Sequence, residues 1–257
     1  MKIAIIGAGN MGGSIARGLA GGSVVGAEHL AVADLSTAAL DALKAEYPAV
    51  HVTTDNQQAV DGADIVIFAV KPWLMPTVVP SVRLSAGQVL VSIAAGVTLG
   101  QLQSYVEHKD MPLFRLIPNT AIRYNASMTF ICSLGASPEQ EQQVADLFGT
   151  MGLTMTITED KFPAATALTS CGIAYVLKYI QAAMQAAIEL GFRPADAMRM
   201  VAQSAEGAAR LILEADTHPS LEIDKVCTPG GLTIKGINTL EHEGFTSAVI
   251  KAIKQSL

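Results

Sequence analysis

"MKIAIIGAGNMGGSIARGLAGG", residues 1–22, runs from an apolar stretch through Gly7-Ala8-Gly9-Asn10-Met11-Gly12 into a segment suited to a helix. That order predicts strand, glycine turn, helix. Gly7 permits the tight turn, Gly9 lets a pyrophosphate approach the backbone, and Gly12 lets the helix pack close to the strand. The helix start at Asn10 and Met11 would offer unpaired N–H groups to the anion. A second strand, "HLAVAD", ends in Asp34, about where an acidic ribose ligand belongs. A carboxylate accepts from a ribose 2′-OH and repels a 2′-phosphate, and Leu35, Ser36 and Thr37 supply no cation after it. NADH is therefore the expected dinucleotide, with NADPH as the alternative. A competing reading makes Asp34 the cap of a helix beginning near Ser36.

The same alternation continues outward. "HVTT", "DIVIFAV", "QVLVSIAAG" and "PLFRLIPN" read as strands separated by helical segments, which implies a Rossmann-type, doubly wound parallel sheet. Ligands gather at strand C-termini in such sheets. Ala69, Val70, Lys71 and Pro72, then Ala94, Ala95 and Gly96, then Asn119 of "IPNT" should line one edge with the glycine turn.

The pattern changes near residue 158, where Thr158, Glu159 and Asp160 suggest a helix start. Beyond it, Lys178, Gln181, Gln185 and Glu189 form one narrow polar stripe, and Asp196, Arg199, Gln203, Glu206 and Arg210 form another. Helices apolar over the rest of their surface need more partners than this short region supplies. The expected organisation is a dinucleotide-binding domain at 1–157 and an all-helical domain at 158–257 that builds a homodimer. Within the helical region "CTPGGLTIKG", 227–236, cannot continue a helix, because proline and paired glycines break it. The stretch predicts a tight turn rich in backbone donors before a new helix.

With 257 residues, half of them apolar, the chain is globular. A net charge of −6 without a Lys/Arg-rich face argues against nucleic acid. No apolar run approaches the roughly 20 residues a membrane span needs, and the chain begins directly in a strand, so a cytoplasmic protein is expected. Cys132, Cys171 and Cys227 lack any CxxC, and the histidines lack ligand spacing; neither a disulfide framework nor a metal site is indicated. Cys171, in an apolar segment without a nearby histidine, reads as a small core residue.

Taken together, "IIGAGNMG", "DIVIFAVKP", "SIAAGV", "IPNT", "CGIAY", "HPSLEIDKVCTPGGLTIKG" and "LEHEGF" resemble the pyrroline-5-carboxylate reductase family over essentially the whole chain. The Pro-Gly-Gly loop is the most specific of these. Three places depart from the family pattern. Residues 169–175 read Thr-Ser-Cys-Gly-Ile-Ala-Tyr where the family has Ser-Gly-Ser-Gly-Pro-Ala-Tyr. Thr228 and Leu232 stand where it has Ser and Thr, and Ala121 replaces a proline. The resemblance implies hydride transfer from NAD(P)H to the imine carbon of 1-pyrroline-5-carboxylate, a cyclic imino acid, giving proline. It also implies a homodimer, extending to a ring of dimers. In that frame the N–H groups of Gly230, Gly231, Leu232 and Thr233 would hold the substrate carboxylate beside Thr228, and Thr233 would face the imine nitrogen. Asp216 would lie near the substrate, Asn56 near the adenosine ribose, and Lys71 along the cofactor. Two other readings stay open. One is a 3-hydroxyacid dehydrogenase with Lys178 as its catalytic lysine; the other is a non-catalytic dinucleotide sensor.

Overall fold

The computed structural model describes all residues, 1–257, in two compact units, Met1–Ser170 and Cys171–Leu257. In the first unit the strands are β1 (Ile3–Ile6), β2 (Leu30–Ala33), β3 (His51–Thr53), β4 (Ile65–Phe68), β5 (Val89–Ser92), β6 (Leu113–Ile117), β7 (Ser127–Leu134) and β8 (Gly152–Thr156). Between and after them run α1 (Asn10–Ala20), α2 (Thr37–Glu46), α3 (Asn56–Val60), α4 (Met75–Val78), α5 (Leu99–Tyr105), α6 (Pro138–Gly149) and α7 (Phe162–Ala165). The strand order is β3-β2-β1-β4-β5-β6-β7-β8. Every pairing is parallel except β6 with β7.

Alternation along β1 explains why its sequence reads as one apolar run. Ile3 and Ile5 enter a core shared with Ile15 of α1, Leu43 of α2 and Phe148 of α6, while Ala4 and Ile6 enter a second core with Met75, Leu102 and Phe162. Both faces of the sheet are thus covered, as a parallel sheet requires. The chain adds β2 and β3 on one side of β1, then crosses to add β4 on the other. That reversal opens a crevice above the C-terminal ends of β1 and β4.

The alternation in the sequence did not announce β7 and β8. Ser127 and Thr129 are polar yet buried in β7: the Ser127 hydroxyl accepts from Asn119 N–H at 3.1 Å and meets Thr129 Oγ1 at 3.1 Å. Their hydroxyls satisfy one another, so a buried strand reads as amphipathic. At the start of β8, Gly152 has φ of 137°, and a Cβ there would lie 2.1 Å from Ser127 O. Only glycine permits the strand to begin there.

The first unit extends beyond the sequence boundary at 157/158. Thr158 precedes a short 3-10 turn, Glu159–Lys161, without capping it, and α7 and one π-helical turn, Thr166–Ser170, follow. Phe162, Ala165 and Ala167 of this segment are buried, and Phe162 and Ala165 join the second core. Glu159 explains the attachment. Its Oε1 accepts from Arg115 Nη1 at 2.9 Å and from Leu99 N–H at 2.8 Å, and the Arg115 guanidinium lies 4.6 Å from the Phe162 ring centre. Arg115 is buried, and its Nε has no partner. Beside this pair, burial and then the Glu159 charge push the Cys132 thiol up to about 12, which leaves it inert.

The second unit contains α8 (Gly172–Glu189), α9 (Pro194–Ala215), α10 (Pro219–Val226), α11 (Leu232–His242) and α12 (Phe245–Lys254). Tyr175 OH bonds Ser256 Oγ and also donates to Ala252 O at 3.3 Å, tying α8 to the end of α12. Large apolar side chains stand exposed on these helices, among them Leu177, Tyr179, Leu211, Leu213 and Val249. Cys171 is only half-buried and so is not the core residue its sequence context implied. No helix is long and apolar enough to cross a membrane, and no group of His, Cys, Asp and Glu is placed to hold a metal ion.

Removing one member of a buried ion pair leaves the other uncompensated. Glu159→Gln should therefore lower the unfolding free energy in urea by about 2 kcal/mol, Glu159 being partly exposed. Adding Arg115→Met should restore at least half of that loss.

Candidate active site

A cleft of about 1060 Å³ lies at the C-terminal ends of β1, β2, β4 and β5. Its floor is the glycine turn, where each glycine meets a different constraint. Gly7 has φ of 105°, and a Cβ there would sit 2.7 Å from Ala69 O. Gly12 would place a Cβ 2.0 Å from Gly7 O and 2.7 Å from the Ala69 Cβ. Gly9 would meet nothing within 4 Å, because its open side is the cleft. Gly9 is the N-cap of α1 and carries no side-chain oxygen, so the first N–H groups of α1 face the cleft without an acceptor from the chain.

Asp34 fastens the turn. Its Oδ2 accepts from Ala8 N–H at 2.6 Å and its Oδ1 from Ser36 N–H at 2.7 Å. It does not cap α2; Ser36 does, accepting from Ala39 N–H. Each Asp34 oxygen still has a free lone pair at the cleft wall. Asn10, Met11, Asn56, Ala69, Val70, Lys71, Pro72, Ala94 and Ala95 line the same cleft, as their positions at turns in register predict. Asn56 is the first residue of α3, behind the N-cap Asp55. Lys71 is exposed and free of ion pairs, at the exit from β4.

Three predicted residues do not line it. Gly12 is packed beneath the turn, and Gly96 turns the chain beyond the cleft with φ of 79°. Asn119 is buried, and its Oδ1 accepts from Ala121 N–H at 3.0 Å, capping the 3-10 turn Thr120–Tyr124. That turn supplies Thr120, Arg123 and Tyr124 to the cleft wall instead. Neither helical nor strand periodicity applies to one 3-10 turn, so no sequence pattern pointed to them. Ser14 also lines the cleft, one turn along α1 from Asn10, and that spacing could have found it.

The second candidate element is the bend between α10 and α11. α10 ends at Val226, Gly230 has φ of 70°, and Gly231 is the N-cap of α11. Gly231 N–H donates to Thr228 O at 2.9 Å. This corrects the predicted donor set: the Gly231 N–H is spent on closing the bend, leaving those of Gly230, Leu232 and Thr233 without an acceptor. A Cβ on Gly231 would lie 2.5 Å from Thr228 Oγ1. Thr228, Leu232 and Thr233 are exposed. The Thr233 hydroxyl bonds nothing in the chain, unlike that of Thr239 on the same helix, which donates to Lys235 O at 2.9 Å. Asp216 has φ of 47° and ends α9 as a left-handed C-cap, a structural role that its exposed loop position permitted.

Comparison with known proteins bears on both units. Residues 159–257 match the family model described as pyrroline-5-carboxylate reductase dimerisation, and residues 2–96 match that described as NADP oxidoreductase coenzyme F420-dependent. The chain is 36% identical to pyrroline-5-carboxylate reductase 1 of Dictyostelium discoideum, over 99% of its own length and 48% of that protein's. It is 34% identical to pyrroline-5-carboxylate reductase of Escherichia coli, over 100% of its own length and 96% of that protein's. Among solved structures, a pyrroline-5-carboxylate reductase from Coxiella burnetii superposes with a TM-score of 0.90 at 29% identity, covering 99% of this chain and 95% of that one. The glycine turn, the acidic end of β2 and the cleft at the switch point define an oxidoreductase of the Rossmann dinucleotide-binding class. Within that class the helical unit decides the matter: the chain belongs to the pyrroline-5-carboxylate reductase family. The 3-hydroxyacid dehydrogenase reading falls with it; Lys178 is exposed and donates to Gln181 Oε1 at 2.9 Å.

The glycine geometry makes two substitutions behave oppositely. Gly12→Ala must push α1 off the turn and should cost about 3 kcal/mol or prevent folding. Gly9→Ala, at φ −66° and ψ −168° with open space around it, should stay within about 0.5 kcal/mol of the parent in thermal unfolding followed by circular dichroism.

Proposed function

We propose that the protein reduces 1-pyrroline-5-carboxylate to L-proline with NADH as the preferred dinucleotide, working as a homodimer through the helical unit. The observation that carries this reading is the pairing of two anion-ready helix starts in one chain. One is α1 behind Gly9, and the other is α11 behind Gly231. The fit to a dinucleotide rests on the open space at Gly9 and the unpaired N–H groups of α1, which suit a diphosphate. Asp34 supports NADH, since a 2′-phosphate would meet a carboxylate, and the next residue is the 90% exposed Leu35 in place of a cation.

Once bound, the dinucleotide supplies the hydride. The residues of the chain then have three tasks. The free N–H groups of Gly230, Leu232 and Thr233 hold the substrate carboxylate without a charged side chain. The uncommitted Thr233 hydroxyl orients the imine nitrogen; its very high pKa makes it an orienting group and not a proton source. The apolar Leu232 side chain, 87% exposed, flanks the bend and would offer an apolar surface to the substrate ring. This is catalysis by positioning, in which small misplacements are costly. The exposed apolar faces of α8, α9 and α12 support the homodimer, because a lone unit would leave them in water.

The test is oxidation of NADH and of NADPH with 1-pyrroline-5-carboxylate, each followed at 340 nm in the ordinary assay. Turnover with NADH at the higher kcat/KM is expected, and NADH binding without turnover would instead mark a dinucleotide sensor. Thr233→Val should lower kcat/KM by about 10- to 100-fold and leave the NADH Kd unchanged. Equal losses in both would give Thr233 a structural role. Gly9→Ala should weaken NADH binding by at least about tenfold although the protein stays folded.

A further inference from the structure

Resting on the dinucleotide reading above, we propose that Arg123 clamps the cofactor diphosphate from the flank of α1, beside the helix N-terminus, with Tyr124 holding the guanidinium in place.

Position comes first. Arg123 lines the cleft together with Asn10, Met11 and Ser14, and it also lines a separate polar pocket of about 280 Å³ with Arg17, Gly18 and Gly21. Ser14, Gly18 and Gly21 follow one another at steps of four and three, so they mark one face of α1. The 3-10 turn Thr120–Tyr124 is packed along that face. Asn125, in the left-handed region at φ of 55°, ends the turn, and its Oδ1 lies 3.5 Å from where a Gly18 Cβ would be. Arg123 therefore reaches from the middle of α1 toward its first turn, where the unpaired N–H groups are.

Chemistry comes second. Arg17, on the same helix, is committed: its Nε donates to Glu46 at 2.6 Å and its Nη1 to Gly13 O at 3.1 Å. Arg123 makes no ion pair and no hydrogen bond, and its one partner is the Tyr124 ring at 5.8 Å. A guanidinium stacked on an aromatic ring keeps its N–H fork free, and that fork matches phosphate oxygens. The other charges lining the cleft are Lys71 at the exit of β4 and Asp34, whose oxygens the Ala8 and Ser36 N–H groups engage. Neither lies on the α1 face that carries Arg123. A doubly charged diphosphate at the first turn of α1 would have backbone donors from the helix start and this free cation beside them.

The experiment is calorimetric titration of NADH, ADP-ribose and adenosine into the parent, Arg123→Ala, Arg123→Lys and Tyr124→Ala. Arg123 is exposed and unbonded, so the variants should keep the parent's thermal midpoint. Arg123→Ala should weaken NADH and ADP-ribose alike, by about 10- to 100-fold, and leave adenosine unchanged. Lysine should recover part of the loss, since it keeps the charge without the fork. Tyr124→Ala should give a smaller loss of the same kind. The ADP-ribose affinity of the parent should also fall more steeply with added salt than that of Arg123→Ala. Unchanged ADP-ribose affinity in Arg123→Ala overturns the clamp, as does an equal loss for adenosine, which would move Arg123 to the nucleoside end. If the parent binds neither NADH nor ADP-ribose, the dinucleotide reading fails and takes this inference with it.

Discussion

The approach of α1 to the exits of β1 and β4, closer than any side chain at residue 12 would allow, is the constraint on which the cleft depends. At Gly12 a β-carbon would stand 2.0 Å from Gly7 O, and Gly7 is itself pressed against Ala69 O. Three backbone segments meet there with no side chain larger than the Ala69 methyl between them. The contact aims the start of α1 at the point where the strand order reverses, and Asp34 locks it by holding Ala8 N–H from the end of β2. Cleft, helix dipole and acidic wall thus follow from one steric fact. A larger residue at position 12 would tilt the helix and lose all three.

Much of this was legible in the sequence because each glycine carries a separate cost. A strand, a turn needing positive φ and a helix start leave a compositional trace, and so do the turns after β4 and β5, which line the cleft as expected. What was not legible has a common physical cause. Ser127 and Thr129 satisfy each other inside β7, so polarity hid a buried strand. Asn119 sits at the expected turn but spends its side chain on capping the next element. Gly231 offers an N–H that the bend consumes internally. In each case residue type was read correctly, and local hydrogen bonding, which sequence does not display, decided the role. Arg123 and Tyr124 left no trace because a single 3-10 turn has no repeat to detect.

The helical unit shows the converse. Its polar stripes are readable, and the structure gives them meaning: α8 has no buried side chain and α9 only Ala197, so the apolar remainder of both helices lies open. Isolated helices of this length are held mainly by packing of an apolar face and not by propensity. A unit arranged in this way is incomplete as a monomer, in keeping with the dimerisation family that residues 159–257 match. The bend at 227–231 turns backbone donors of this unit outward without a side-chain cap to meet them.

Some helix starts of the chain carry a side-chain cap and others do not. Ser36, Asp55, Thr98 and Ser137 cap α2, α3, α5 and α6 with side-chain oxygens, and at Thr98 and Ser137 the capping box is complete. Among the uncapped starts, α1, α11 and α12 follow glycines; Gly9 and Gly231 are extended, with φ and ψ of −66° and −168° at one and −68° and 174° at the other, while Gly244 is left-handed at φ of 78°. The extended backbone at Gly9 and Gly231 suits any residue, so positive φ is not why glycine stands there. Replacing a good capping residue typically costs about 1 kcal/mol, and the chain accepts that cost at these two starts. At Gly231 the reason includes the bend itself, since a β-carbon would strike Thr228 Oγ1. At Gly9 nothing in the chain stands in the way, and what the missing side chain leaves room for must come from outside it. On the reading proposed above, a protein of net charge −6 holds its anions chiefly with backbone dipoles, and Arg123 adds one guanidinium fork at the cleft.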